Sequence, residues 1–172
     1  MNPIMAIDPG PVQSAVVTMD GDDAYGDILT NSEMLFNLSN ASLSPSWVLV
    51  VEMIASYGMP VGRSVFDTCL WIGRFLEAWG GDYRLVTRKS VVTTVCGSSR
   101  AKDSNVRQAM LDLYPATGGG KTPQVGTKNQ PGPLYGIKSD MWAALAVAHA
   151  YMERGDAIAY EESYKASERL VQ

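Results

Sequence analysis

Apolar and polar positions divide the chain into short strand-like runs at its start and helix-like runs further on. Ile4-Met-Ala-Ile leads into Asp8. After a Pro-Gly turn, Gln13-Ser-Ala-Val-Val-Thr18 is rich in β-branched residues, so residues 3–8 and 12–19 read as a hairpin with Asp8 at its lip. A short third strand covers 24–29, beyond the acidic turn Asp20-Gly-Asp-Asp23, which lacks the rest of an EF-hand and reads as a solvated hairpin turn. Asn31 or Ser32 can cap a short helix whose Met34, Leu35 and Leu38 share a face. Trp47-Val-Leu-Val-Val-Glu52 is a continuous apolar run ending in one acid, the pattern of a central parallel strand buried on both faces.

The period then changes. Val65, Phe66, Cys69, Leu70, Ile72, Gly73, Leu76 and Trp79 recur at helical spacing, predicting a helix over 63–79 with its aromatics in the core, closed by Gly80-Gly81. Tyr83 to Thr87 reads as a fifth strand, and helices are expected at 89–95 and 103–114, the second capped by Asp103 or Ser104. Residues 116–136 hold six glycines and three prolines without apolar periodicity, so they form a loop, and a loop of that length is functional or disordered. Gly118-Gly-Gly-Lys-Thr122 is not a phosphate-binding P-loop, because position 115 is proline and no strand precedes it. Ser139 to Arg154 is the last core helix. One domain over 1–156 is expected, followed by a polar, helical tail over 157–172.

Composition narrows the setting. With 172 residues the chain fits one domain, 46% apolar and 19% charged. No apolar run approaches the roughly 20 residues of a membrane helix, and the start lacks the pattern of a signal peptide, so a cytoplasmic protein without membrane attachment is expected. Cys69 and Cys96 are expected as free thiols, with no CxxC or Cys/His cluster to suggest zinc. The net charge of -4 is unevenly spread. Residues 82–138 carry nine Lys/Arg against three acids, a net +6, whereas the remainder carries five against fifteen, a net -10. One basic face meeting phosphates would account for that split.

Three acids stand at the ends of apolar elements: Asp8, Glu52 and Asp140, the last leading Met141-Trp-Ala-Ala-Leu-Ala-Val-Ala148. A carboxylate there is costly unless it is paired or holds a cation. Oxygen-only ligands argue for Mg²⁺ or Mn²⁺ over Zn²⁺.

Ile7-Asp-Pro-Gly10, an acid ending a later strand and an acid leading a D-x-x-A-L-A-x-A helix together resemble the RuvC-type Holliday junction resolvases. Cys96-Gly97, Ala101-Lys-Asp103, Val106-Arg-Gln-Ala109, Pro131-Gly-Pro-Leu-Tyr-Gly136 and Trp142-Ala-Ala-Leu-Ala146 resemble their phage branch, and the likeness runs from about residue 4 to 152. It implies an α/β, RNase H-like fold: a mixed five-stranded sheet flanked by helices, with the first and fourth strands side by side. It also implies that Asp8, Glu52 and Asp140 hold two Mg²⁺, with Mn²⁺ substituting. One ion activates water and one stabilises the leaving 3′ oxygen during phosphodiester hydrolysis in branched DNA. Symmetric cutting implies a homodimer.

Arg88, Lys89, Arg100, Lys102, Arg107, Lys121 and Lys128 are the candidates to contact DNA phosphates. Tyr57 and Met59 are candidates to contact bases, because Ala55 stands where the family carries an aromatic. A second departure is Ala143, where bacterial members carry a fourth acid. Water or Ser139 completes the second ion's shell, or that site is weak. His149 lies too far along the helix to be a ligand. The same acids would serve a nuclease of RNA or RNA-DNA hybrids, and Ala143 would suit a catalytically idle DNA-binding module. An actin-like ATPase also opens with an Asp-x-Gly strand but needs two such domains.

Overall fold

A computed structural model describes residues 2–41, 46–56 and 58–160. The hairpin at the start forms as expected. Strand β1 (Ile4–Asp8) runs antiparallel to β2 (Gln13–Asp20), with Asp8 opposite Ala15. A two-residue turn at Gly21-Asp22 joins β2 to β3 (Asp23–Thr30), and the φ of +61° at Gly21 is one that glycine adopts without strain. Strand β4 (Val48–Met53) lies parallel to β1, with Ile7 beside Val51, and β5 (Tyr83–Thr87) lies parallel to β4. The sheet order is β3-β2-β1-β4-β5, a mixed five-stranded sheet.

Period two along the central strands decides what each face packs against. Ile7, Leu49 and Val51 point to helices α1 (Asn31–Ser39) and α2 (Arg63–Trp79). Ile4, Ala6, Val48 and Val50 point to α3 (Arg88–Cys96), α4 (Asp103–Leu113) and α5 (Met141–Arg154). Strand β4 is thus buried on both faces, as its unbroken apolar run requires. Among the described residues, no helix is long and apolar enough to cross a membrane.

Several local expectations are corrected. Thr30, not Asn31 or Ser32, caps α1. Its hydroxyl accepts from the Glu33 N–H while the Glu33 carboxylate accepts from the Thr30 N–H, a capping box. Asn31 is instead buried and bonded into the turn after Asp8. Lys102, not Asp103 or Ser104, stands at the cap of α4, where its N–H donates to the Asn105 side chain at 3.0 Å. On α2, Thr68, Ile72 and Phe75 are buried, whereas Phe66 and Leu70 are 64% and 65% exposed. Both lie on the stripe that carries Arg63, Arg74 and Glu77, turned away from the sheet. Helix α5 begins at Met141 rather than Ser139, because Ser139 has a left-handed φ of +48°.

Residues 116–136 are a loop held by its own backbone. Gly118 donates to Pro123 at 2.8 Å, Gly132 to Val125 at 3.0 Å and Leu134 to Gln124 at 2.8 Å. A Cβ on Gly126 would fall 2.2 Å from the Gly132 nitrogen, so the crossing is closed to any other residue. Buried Leu134 and Ile137 anchor the loop in the core beneath α5. The tail expected from 157 starts differently. Gly155–Ile158 is a 3-10 turn, Ala159 bridges to Val86, and buried Arg84 pairs with Asp156 at 2.6 Å. Residues 161–172 of that tail lie outside the described residues.

Candidate functional site

Two strand ends begin the site. Asp8 shares the parity of Ile4 and Ala6, and Glu52 that of Val48 and Val50, so both carboxylates continue the sheet face covered by α3, α4 and α5. The parallel register sets them side by side. Asp140 joins them from the N-terminal end of α5, reached through left-handed Ser139, a conformation costly for serine and found most often where a site needs it. The three acids line one cleft of about 330 Å³ together with Arg88, Asp103, Val106, Ser139, Trp142 and Ala143.

The turn that carries Asp8 is locked from below. Ser14 and Asn31 are both buried. The Ser14 hydroxyl donates to Asn31 Oδ1 at 2.7 Å, and the Asn31 amide donates to the Gly10 carbonyl at 2.9 Å. Gly10 is required there, since a Cβ would meet the Gln13 carbonyl at 2.5 Å.

Burial dominates the electrostatics. It raises the Asp8 carboxyl from 3.8 to about 6, helped by the negative charge of Asp140. Burial and then the neighbouring Asp8 raise Glu52 from 4.5 to about 7. Both acids are partly offset by the Arg88 guanidinium, whose Nη1 lies 3.6 Å from Glu52 Oε2. That distance gives attraction without a hydrogen bond. Among the described residues, Glu52 Oε2 is the buried side-chain oxygen or nitrogen left without a hydrogen-bond partner. Arg88 also pairs through Nη2 with Asp103. Among the same residues no three His, Cys, Asp or Glu side chains gather closely enough to hold a metal as they stand.

These shifts have a measurable consequence. In the pH range between the unfolded and folded values, the folded chain keeps protons that the unfolded chain has released, so stability falls as pH rises from about 4 to 7. In EDTA, the melting temperature is expected to decline over that range. At pH 7.5, Asp8→Asn and Glu52→Gln are expected to melt a few degrees above wild type. Melting temperatures that are flat with pH and unmoved by both variants would contradict the buried-acid account.

The remaining candidates are distributed around this cleft. Arg88 lines the cleft itself and is half-buried there. Arg100 and Lys102 are exposed just before Asp103, and exposed Arg107 stacks 5.1 Å from the ring centre of Trp142, a wall of the cleft. Exposed Lys89 lines a second, wider cavity with Ala55, Ser90, Thr93 and Thr94. Lys121 and Lys128 are exposed on the glycine-rich loop and do not line the cleft. Met59 is exposed, and Tyr57 lies outside the described residues. His149 bonds the Tyr114 hydroxyl at 2.8 Å, away from the acids.

Sequence reasoning missed the positions of Arg88 and Asp103. A signal for Arg88 existed: it follows Thr87, which the β4–β5 register pairs with Met53, so it emerges beside Glu52.

No protein-family model and no curated protein matches the chain. Solved structures do. A Thermus thermophilus RuvC structure superposes with a TM-score of 0.58 at 16% identity, covering 91% of this chain and 98% of that one. T. thermophilus RuvC in complex with a Holliday junction substrate superposes with a TM-score of 0.61 at 13% identity, covering 92% and 98%. The chain therefore has the RuvC-like, RNase H-like fold.

Proposed function

We propose that the chain is a metal-dependent endonuclease that cuts branched DNA such as Holliday junctions, acting as a homodimer. The observation that carries this reading is Glu52 Oε2, a buried carboxylate oxygen without a hydrogen-bond partner in a cleft shared with Asp8 and Asp140. Such an oxygen suits a hard cation, and an all-oxygen donor set suits Mg²⁺ or Mn²⁺. Asp8, Glu52 and Asp140 would hold the ions, which would supply an activated water and charge stabilisation for a leaving 3′ oxygen.

The chain's own residues do the rest. Asp8 and Glu52, protonated in part near neutral pH, release protons as a cation is taken up, so uptake strengthens with rising pH. Ser14 and Asn31 keep the Asp8 turn from drifting. Arg100, Lys102 and Arg107 offer positive charge beside the cleft to the phosphate backbone. Branched DNA as the substrate class is supported by the likeness to RuvC bound to a junction.

Homodimerisation is supported by the exposed apolar stripe of Phe66 and Leu70, one turn apart on α2, with exposed Met59 and Val61 just before the helix. Light scattering is expected to give a dimer for wild type and a monomer for the Phe66→Glu, Leu70→Glu double variant. A wild-type monomer, or an unchanged double variant, would remove this part of the proposal.

The activity is tested with labelled four-way, Y-shaped, linear duplex, single-stranded and RNA-DNA hybrid substrates in Mg²⁺, Mn²⁺ or EDTA. Metal-dependent cutting that favours the branched substrates is expected. Preferential cutting of the hybrid would point to an RNA-directed nuclease, and no cutting in either metal to a binding module.

A further inference from the structure

A cation already sits between two of the cleft's acids, and it is Arg88. Its guanidinium lies 3.6 Å from Glu52 through Nη1 and pairs with Asp103 through Nη2. Asp103 lines the same cleft as Asp8, Glu52 and Asp140, yet its side chain is 95% exposed, so solvent does not require it to have a partner. An ion pair with one partner fully in solvent contributes little to folding, which makes stability a poor reason for this one. At the position one turn after Asp140, where a fourth acid would complete an oxygen-rich site, the cleft instead presents the methyl group of Ala143. The cleft's fourth carboxylate thus comes from α4, as Asp103, rather than from α5. Among the described residues no three acids gather closely enough to hold a metal as they stand, and two of the four in this cleft, Glu52 and Asp103, face the same guanidinium.

We propose that Asp103 is the fourth acid of the metal site, taking the part of the acid absent at Ala143, and that Arg88 is the resident cation a metal ion displaces. This rests on the metal-site reading above. Arg88 is a single positive charge on a flexible stem, half-buried and able to swing outward, whereas a divalent ion brings twice the charge to the same carboxylates. Mg²⁺ keeps several of its waters and needs only a few protein oxygens, so a ligand at the solvent-facing mouth is compatible with such a site. Once displaced, the guanidinium stays beside the cleft, where its planar fork matches a phosphate.

The test is direct titration of full-length protein with Mn²⁺ at pH 8 without DNA, followed by the free-ion electron paramagnetic resonance signal. Asp103→Asn and Asp103→Ser are expected to weaken Mn²⁺ binding by about tenfold or more. Both residues are accepted at a helix start, so the fold does not depend on one replacement. Arg88→Gln is expected to tighten binding, because it removes the competing cation. Wild-type affinity in both Asp103 variants, or weaker binding in Arg88→Gln, would overturn the proposal. Asp8→Asn is titrated alongside. If it leaves binding unchanged, the metal-site reading itself fails. If it abolishes binding while the Asp103 variants do not, only the present inference fails.

Discussion

Asp8→Asn, Glu52→Gln and Asp140→Asn are each expected to lower single-turnover cleavage of a four-way junction by about three orders of magnitude. That is roughly 4 kcal/mol of transition-state stabilisation at 1.36 kcal/mol per tenfold. The cause is loss of ligand charge, since each amide keeps the shape of the acid it replaces. Asp8 and Glu52 are half-buried and raised towards neutrality, so their amides also relieve the cost of burying charge and should not unfold the chain. Asp140 is exposed at the start of α5, so its amide tests ligation with little change in burial. Junction affinity measured in EDTA should stay within about twofold of wild type, because phosphate contacts supply most of the binding. A variant that still cuts at near wild-type rate would show that its residue is not a ligand.

Changing Lys89, Arg100, Lys102 and Arg107 together to Ala is expected to weaken binding to all branched substrates and to flatten its dependence on salt. Each phosphate contact on duplex arms adds about 0.9 to the slope of log K against log salt, so four lost contacts should lower it by about 3.6. All four side chains are exposed. Arg100 and Lys102 stand just before the start of α4 and Arg107 one turn into it, beside the cleft. Arg107 would also give up its place over the Trp142 ring. Cleavage at saturating DNA should change far less than affinity. A salt slope equal to wild type would assign the DNA to another face, such as that carrying Lys121 and Lys128.

Much of this site was legible because it depends on strand ends. A strand's period of two, an apolar run ending in one acid and an acid leading a small-residue helix are local patterns, and parallel pairing of β1 with β4 turns them into neighbours. What stayed hidden depends on reach across elements. Asp103 read as a helix cap because that is what an acid before a helix does locally. Only the packing of α4 against α3 brings it to Arg88. Asn31 read as a cap for the same reason, and its part-buried bond to the Gly10 carbonyl exists only because α1 starts where the hairpin turns. Phe66 read as core because it is aromatic, yet with Leu70 it shares the outward stripe of Arg63, Arg74 and Glu77, and apolar character alone does not decide which way a side chain faces. The glycine-rich loop was recognisable as a loop, but its order comes from backbone crossings between residues up to fourteen apart, Gly118 to Gly132.

The most direct measurement is the map of cuts made in a mobile four-way junction with all four strands end-labelled, in Mg²⁺. The account predicts paired nicks on two opposite strands, symmetric about the branch, leaving a 3′ hydroxyl and a 5′ phosphate, absent in EDTA and absent with Asp8→Asn. Cuts that persist in EDTA, or that fall equally on linear duplex of the same sequence, would contradict it.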